Sequence, residues 1–180
     1  MTRIVTIFGS STPQPGSRDY DAAYECGKLL AEAGFTICNG GYGGTMEAAA
    51  KGARSSGGTT IGVTVADWPR KANEWIQEEI RAADLAERIQ RLIGLGNAYV
   101  VLRGGTGTLL ELAYVLELIN KDIIPRKPIV LLGDTWNGVM ESLRQEPVSG
   151  RQKDVTELVH TVQSPSDVAA YLRKTLLPRP

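Results

Sequence analysis

Two glycine-rich segments have the residue types and surroundings of phosphate-binding turns. They read Gly40-Gly41-Tyr42-Gly43-Gly44-Thr45 and Gly104-Gly105-Thr106-Gly107-Thr108. Each follows an apolar run that predicts a strand and opens a run with helical spacing. Glycine allows positive φ and close approach to a ligand, and the free N–H groups at a helix start attract an anion. The pair predicts binding of a phosphate-bearing small molecule, although glycines also serve tight turns that bind nothing.

The two segments are related to each other, and each is followed by a glutamate at the same offset. When Gly40 is aligned with Gly104, Glu47 coincides with Glu111. Thr45 and Thr108 can add hydroxyl hydrogen bonds to a bound ligand. Neither segment is the GxGxxG fingerprint or a Walker A motif, so NAD, FAD and ATP hydrolysis are not indicated.

The helix that carries Glu111 is apolar on two sides. One side, expected to pack on the sheet, contains Leu109, Leu112, Ala113, Leu116 and Ile119. The other contains Tyr114, Val115 and Leu118 together with Glu111. A helix with two apolar sides needs two partners, which predicts a subunit interface beside Glu111. The alternative is a surface glutamate beside a few exposed apolar residues.

Two further charged residues are candidates, each with an ordinary structural alternative. Arg88 lies at the edge of the apolar stripe of its helix, where it can reach into a cleft or extend along the surface with its charge in water. Glu47 can be a second carboxylate of the site, or a first-turn residue favoured by the helix dipole.

The elements that must position these residues alternate between short apolar runs and helical runs. Strands are predicted at 4–8, 35–39, 59–65, 98–102, 128–132 and 158–162. Helices are predicted at 21–33, 44–55, 84–95, 107–120, 136–145 and 164–176, and a loop with a short helix at 67–79. The pattern predicts one α/β domain over residues 1–180, a Rossmann-like open parallel sheet with helices on both faces. Such sheets bind ligands at the carboxyl ends of their strands, where both glycine segments fall.

Composition excludes several classes of function. The 180 residues have a formal net charge of zero, which disfavours a nucleic-acid partner. No apolar run approaches the ~20 residues of a membrane span, and no signal peptide is recognisable. The single histidine, His160, disfavours a histidine metal site, and Cys26 and Cys38 do not form a disulfide framework. A cytoplasmic protein is expected.

The same residues resemble the LOG family, the cytokinin riboside 5′-monophosphate phosphoribohydrolases, over residues 4 to 133. The resemblance includes Phe8-Gly9-Ser10-Ser11, the Gly40 turn and, above all, the signature Pro-Gly-Gly-x-Gly-Thr-x-x-Glu, which here runs from Arg103 to Glu111. Arg88 takes the position of the arginine that precedes the signature in the family and serves its active site.

The resemblance implies hydrolysis of the N-glycosidic bond of a nucleoside 5′-monophosphate, with Arg88 and Glu111 as catalytic residues. It implies that the phosphate and nucleotide are bound by Gly9, Ser10, Ser11, Gly40, Gly41, Gly43, Gly44, Thr45, Gly104, Gly105, Thr106, Gly107 and Thr108. It implies no metal or redox cofactor, and a homodimer or higher homo-oligomer with the site near the interface. An old label of lysine decarboxylase in the family is not favoured, because no lysine is marked for pyridoxal phosphate.

The sequence departs from the family pattern at three places. Arg103 replaces the signature proline, Ile89 replaces a lysine, and Glu47 follows Met46 where glycine is usual. These departures resemble a divergent branch that contains carriers, among them the molybdenum cofactor carrier protein. The alternative function is therefore a non-catalytic protein that binds a nucleotide or a phosphate-bearing cofactor.

Overall fold

The computed structural model describes residues 3–145 and 154–177, the greater part of the predicted domain 1–180. The strands are β1 (Ile4–Phe8), β2 (Thr36–Asn39), β3 (Thr60–Val65), β4 (Glu78–Ala82), β5 (Ala98–Val101), β6 (Ile129–Leu132) and β7 (Val159–Val162). The helices are α1 (Arg18–Glu32), α2 (Thr45–Ser55), α3 (Leu85–Leu95), α4 (Thr106–Asn120), α5 (Asn137–Arg144) and α6 (Pro165–Leu176), and a 3₁₀ turn (Val155–Leu158) precedes β7.

The seven strands of residues 3–145 and 154–177 form one parallel sheet in the order β4-β3-β2-β1-β5-β6-β7. The chain moves outward from β1 to β4, returns through α3 to β5 beside β1, and then moves outward in the other direction. The strand order therefore reverses between β1 and β5, where a crevice opens at the carboxyl ends of the two strands. The predicted α/β, Rossmann-like fold is confirmed.

The helices cover the sheet on both faces. One apolar cluster joins α1, α2 and α6 to the sheet, and a second cluster joins α3, α4 and α5 to the opposite face. The central strand β5 is buried along its whole length because it has a helix layer on each side. Its carboxyl end is therefore a rigid platform for the turn that follows.

Two glycines let α1 and α2 cross at close range. A Cβ on Gly27 would overlap the carbonyl oxygen of Ala49, and a Cβ on Gly52 would overlap the carbonyl oxygen of Tyr24. The backbones of the two helices are thus in direct contact. This contact brings the start of α2 against the loop that follows β1.

The strand β4 corrects the prediction of a loop with a short helix at 67–79. Residues before Glu78 form a loop without a helix, and β4 pairs with β3 at the edge of the sheet. Its residues are mostly exposed, and only Ala82 is buried. An edge strand needs no apolar run and is protected by charges, so the apolar pattern does not reveal it.

The faces of α4 also differ from the prediction. Leu109 and Ala113, expected against the sheet, are exposed, whereas Val115, expected on the second side, is fully buried. The reason is that Thr108 and Glu111 belong to the buried face, which turns the helix relative to a purely apolar stripe. The remaining element ends agree within three residues, and α1 begins earlier than predicted because Ser17 caps it by accepting from the Tyr20 N–H.

Candidate active site

A cleft of about 280 Å³ lies at the carboxyl ends of β1, β2 and β5. It contains ten of the residues predicted for the site: Gly9, Ser10, Ser11, Gly40, Arg88, Gly105, Thr106, Gly107, Thr108 and Glu111. The loops after β1 and β5 supply most of this lining, as expected where the strand order reverses. Gly41, Gly43, Gly44, Thr45, Gly104 and Glu47 do not line the cleft.

The second glycine turn opens α4 directly into the cleft. The first helical hydrogen bond runs from the Leu109 N–H to the Gly105 carbonyl. The N–H groups of Thr106, Gly107 and Thr108 have no acceptor within the described part of the chain. Three unpaired N–H groups at the positive end of a helix dipole can bind an anion such as a phosphate. None of these glycines needs positive φ, and Gly104 is required instead because a Cβ there would overlap Thr108.

The first glycine turn is built differently, as a support for the loop that follows β1. Gly41 and Gly44 have φ of +75° and +68°. The backbone N–H and the hydroxyl of Thr45 both donate to the Ser10 carbonyl oxygen, at 2.8 and 3.1 Å. The Thr45 hydroxyl is therefore engaged inside the protein. The effect of this turn is to fix Ser10 and Ser11 at the cleft.

Arg88 is buried and holds three elements together. Its Nε donates to the Val63 carbonyl oxygen at 2.8 Å, and its Nη2 donates to the Gly40 carbonyl oxygen at 3.2 Å. Its guanidinium carbon lies 5.4 Å from the centroid of the Tyr42 ring, in the range of a cation–π interaction. A Cβ on Gly40 would overlap the guanidinium, which explains the glycine. Nη1 has no acceptor within residues 3–145 and 154–177, so it remains available to a ligand.

Among the described residues that line the cleft, Glu111 is the one carboxylate, and it is buried. It is 8% exposed, and its side chain accepts no hydrogen bond from the residues that the structure describes. Burial raises the pKa of Glu111 to about 7, and the positive charge of Arg88 opposes this shift. The two groups are more than an ion-pair distance apart, because no contact within 4 Å joins them. A carboxyl group with such a pKa and no protein partner is a candidate for catalysis.

Glu47 does not join Glu111 as a second carboxylate of the cleft. It is half-buried at the start of α2, and one of its oxygens accepts a hydrogen bond from the Tyr20 hydroxyl at 3.1 Å. Burial and this hydrogen bond raise the pKa of Tyr20 to about 12. Glu47 therefore connects α2 to α1, at the positive end of the α2 dipole.

Several lining residues were not predicted from the sequence. They are Ile7, Phe8, Thr12, Tyr42, Met46, Trp68 and Arg70. Trp68 and Arg70 come from the loop between β3 and β4, which has no glycine motif or periodic pattern. The available signal was a tryptophan in a polar loop, since a large ring left at a surface often contacts a ligand.

The described residues contain neither a candidate metal site nor a candidate membrane-spanning helix. No group of three or more histidine, cysteine, aspartate or glutamate side chains is placed to hold a metal ion. No described helix has the length and apolar character to cross a membrane. Cys26 and Cys38 are free and buried, and burial raises the pKa of each thiol to about 12.

Comparison with known proteins gives close sequence relatives. The cytokinin riboside 5′-monophosphate phosphoribohydrolase of Mycobacterium tuberculosis is 36% identical over 145 residues, which cover 78% of this chain and 74% of that protein. The protein of the same name from Rhodococcoides fascians is 31% identical over 134 residues, which cover 72% of this chain and 67% of that protein. The resemblance to the LOG family is confirmed.

The fold is shared with solved structures of another kind. The molybdenum cofactor carrier protein of Chlamydomonas reinhardtii aligns over 99% of this chain and 100% of its own length, with a TM-score of 0.77 and 25% identity. The family model described as the SLOG cluster4 family matches residues 2–169. The chain therefore belongs to the SLOG cluster4 family and has LOG phosphoribohydrolases among its relatives.

Proposed function

We propose that this protein hydrolyses the N-glycosidic bond of a nucleoside 5′-monophosphate, releasing the base and ribose 5-phosphate. The observation that carries the proposal is Glu111, a buried carboxyl group without a protein partner, between Arg88 and the open start of α4. Support comes from the relatives named phosphoribohydrolases and from the Escherichia coli pyrimidine/purine nucleotide 5′-monophosphate nucleosidase, which is 29% identical over 131 residues that cover 64% of this chain and 28% of that protein.

In the proposed complex the phosphate binds at the free N–H groups of Thr106, Gly107 and Thr108. Ser10 and Ser11, next to the first glycine turn, also line the cleft and can donate hydroxyl hydrogen bonds. The first N–H groups of α4 have no acceptor in the described residues, whereas the first N–H of α2 already donates to Ser10. The phosphate is therefore assigned to the start of α4 and not to the start of α2.

The reaction breaks the bond between C1′ of the ribose and a ring nitrogen of the base. Positive charge develops on the ribose, and the ionised Glu111 carboxylate stabilises this oxocarbenium-like transition state. A water molecule adds its oxygen to C1′ and its proton goes to the departing base or to Glu111. Arg88, with Nη1 free of protein acceptors, stabilises the electron pair that the base takes with it.

The test is a panel of nucleoside 5′-monophosphates assayed for released base. We expect turnover of at least one of them, and a loss on the order of 100-fold or more in Glu111→Gln because the charge of the carboxylate is removed. Binding of ribose 5-phosphate should persist in this variant. Glu117→Gln is the matched control, since Glu117 is an exposed glutamate on the same helix; its activity should stay within about twofold of wild type.

The second candidate is a protein that binds a phosphate-bearing cofactor without converting it. It is favoured by the full-length alignment with the molybdenum cofactor carrier protein and by Arg103 in place of the signature proline. The same panel separates the candidates. If no nucleotide releases its base while the open start of α4 still binds a phosphate ligand, the hydrolase proposal is wrong and the carrier is supported.

We further propose that the protein is a cytoplasmic homodimer that binds small molecules and not nucleic acid. Two leucines of α4, Leu109 and Leu110, are exposed close to the cleft, at 37% and 45%. Apolar side chains that are exposed next to each other, and not singly, favour a subunit interface. A zero net charge favours a small ligand over nucleic acid, and two free cysteines agree with a reducing compartment.

A further inference from the structure

Two aromatic rings and one cation form a compact group at one end of the cleft. The rings of Tyr42 and Trp68 are stacked, with centroids 5.7 Å apart and planes 23° from parallel. The guanidinium carbon of Arg88 lies 5.4 Å from the Tyr42 centroid and 5.8 Å from the Trp68 centroid. All three side chains line the cleft.

Trp68 is the accessible member of this group. It is 40% exposed, whereas Tyr42 is 4% exposed. The indole N–H of Trp136 donates to the Leu102 carbonyl oxygen, but that of Trp68 has no acceptor in the described structure. An aromatic ring that lines a cleft and keeps an open surface and a free donor is suited to contact a ligand.

The loop that carries Trp68 is anchored and not a free tip. The side-chain amide of Asn73 donates to the carbonyl oxygens of Gly41 and Tyr42, at 3.0 and 2.8 Å. The backbone N–H of Asn73 also donates to the Gly41 carbonyl oxygen, at 2.8 Å. Trp68 is therefore held against the first glycine turn, and its position is set before any ligand binds.

The functional groups lie in a defined order along the cleft. The open start of α4 is followed, about 7 Å along the same helix, by Glu111. The charge of Arg88 acts on Glu111, and Arg88 in turn contacts the two rings. A nucleotide has its phosphate, ribose and base in the same order. With its phosphate at α4 and its C1′ beside Glu111, its base comes to Trp68.

We propose that Trp68 stacks on the base, and that the substrates are nucleotides with a flat heteroaromatic base of either size. This inference rests on the proposed function. Stacking uses the face that every base presents and not its hydrogen-bonding edge, so it recognises aromatic bases as a class. The contact is present before and during the reaction. It therefore lowers KM and leaves kcat nearly unchanged.

The experiment compares two ligands that differ by the base alone. Adenosine 5′-monophosphate and ribose 5-phosphate are titrated by calorimetry into protein with Glu111→Gln, which slows turnover. We expect the preference for the nucleotide over ribose 5-phosphate to fall about tenfold on adding Trp68→Leu. Trp68→Phe should retain most of it. Trp75→Leu is the matched control, because Trp75 belongs to the same loop but lies outside the cleft, next to Lys51.

The outcomes separate this inference from the proposed function. If Trp68→Leu changes the preference for adenosine 5′-monophosphate over ribose 5-phosphate by less than twofold, the inference is wrong. It is also wrong if the affinity for both ligands falls by the same factor, because that result would indicate a purely structural effect. A preference that depends on Trp68, in a protein that releases no base from any nucleotide, supports the stacking and contradicts the hydrolase. A protein that binds neither ligand contradicts both.

Discussion

Glu111 combines two properties that oppose each other. Its burial in the cleft excludes water from the place where positive charge would develop, which strengthens the electrostatic effect of the carboxylate. The same burial disfavours the charged form and raises the pKa to about 7. Near neutral pH the group is therefore divided between the two forms. Both the rate and the stability of the protein should report this titration.

The pH dependence of the rate follows from the form that the reaction needs. If the ionised carboxylate stabilises the transition state, kcat/KM should rise from about pH 6 to pH 8 with an apparent pKa near 7. The phosphate of the substrate also titrates, near pH 6. The profile of Glu111→Gln reports that contribution alone and should lack the step near 7. A wild-type rate that falls over this range would assign Glu111 to general acid catalysis instead.

The pH dependence of stability has the opposite sign. The folded-state pKa is raised above the ordinary value of 4.5, so the folded protein retains a proton that the unfolded chain has lost. The contribution of Glu111 to the free energy of unfolding therefore falls as the pH rises from 4.5 to 7, and this loss is complete above 7. Glu111→Gln should remove this effect. The difference in free energy of unfolding between the variant and wild type should therefore be about 2–3 kcal/mol more in favour of the variant at pH 8 than at pH 5.

Urea unfolding at the two pH values measures this difference. Glu117→Gln, at an exposed position of the same helix, should show no comparable change. If Glu111→Gln changed the free energy of unfolding equally at pH 5 and pH 8, a raised pKa of the buried Glu111 carboxyl group would be contradicted. A stabilised but inactive variant is the expected signature of a residue kept for function at a cost in stability.

The structure brings two predicted charged residues to the cleft and gives the first glycine turn a different role from the one expected. Glu111 ends the second glycine motif, Arg88 is assigned to the site through the resemblance to the LOG family, and both line the cleft. Glu47 occupies the position that matches Glu111, but it accepts a hydrogen bond from the Tyr20 hydroxyl, and the Thr45 hydroxyl of the same turn donates to the Ser10 carbonyl oxygen. Sequence similarity of the two turns could not reveal this difference, because it depends on which neighbouring loop packs against each helix start.

The contact between α1 and α2 determines how the first turn meets the cleft. Gly52→Ala should destabilise the protein by about 1–3 kcal/mol, although alanine is the better helix former, because the new Cβ overlaps the Tyr24 carbonyl. Gly94→Ala in α3 is the matched control, since no atom lies within 4 Å of its Cβ position. The control should be neutral or gain up to about 1 kcal/mol. Urea unfolding that finds Gly52→Ala as stable as Gly94→Ala would contradict the close crossing.

The elements that the sequence did not reveal are those with few buried apolar residues. The strand β4 pairs through its backbone, and Glu78 and Glu79 in it are exposed. The loop before it has no periodicity, yet it brings Trp68 to the cleft. The periodicity of apolar residues along the sequence detects elements that pack through their side chains. It cannot detect an edge strand or a loop held by the amide of Asn73, whose partners are distant backbone carbonyls.

At the scale of the molecule, the candidate groups all lie at the carboxyl ends of the strands, around the point where the strand order reverses. The loops after β1, β2, β3 and β5 all reach the same cleft. Lys127 lies at the amino ends of the strands, and its ammonium donates to the carbonyl oxygens of Ile93 and Gly96. Burial lowers the pKa of Lys127. That lysine supports the packing at the far end of β5 and contributes nothing to the cleft.

The exposed leucines of α4 provide the prediction for the whole assembly. In a homodimer that uses this helix, Leu110→Asp should place a charge in an apolar interface and give a monomer in sedimentation experiments. The matched control is Ala170→Asp, which adds the same charge at an exposed position of α6, on the opposite face of the sheet. The control should sediment like wild type. A wild-type protein that sediments as a monomer, or a Leu110→Asp variant that remains dimeric, would contradict an interface along α4.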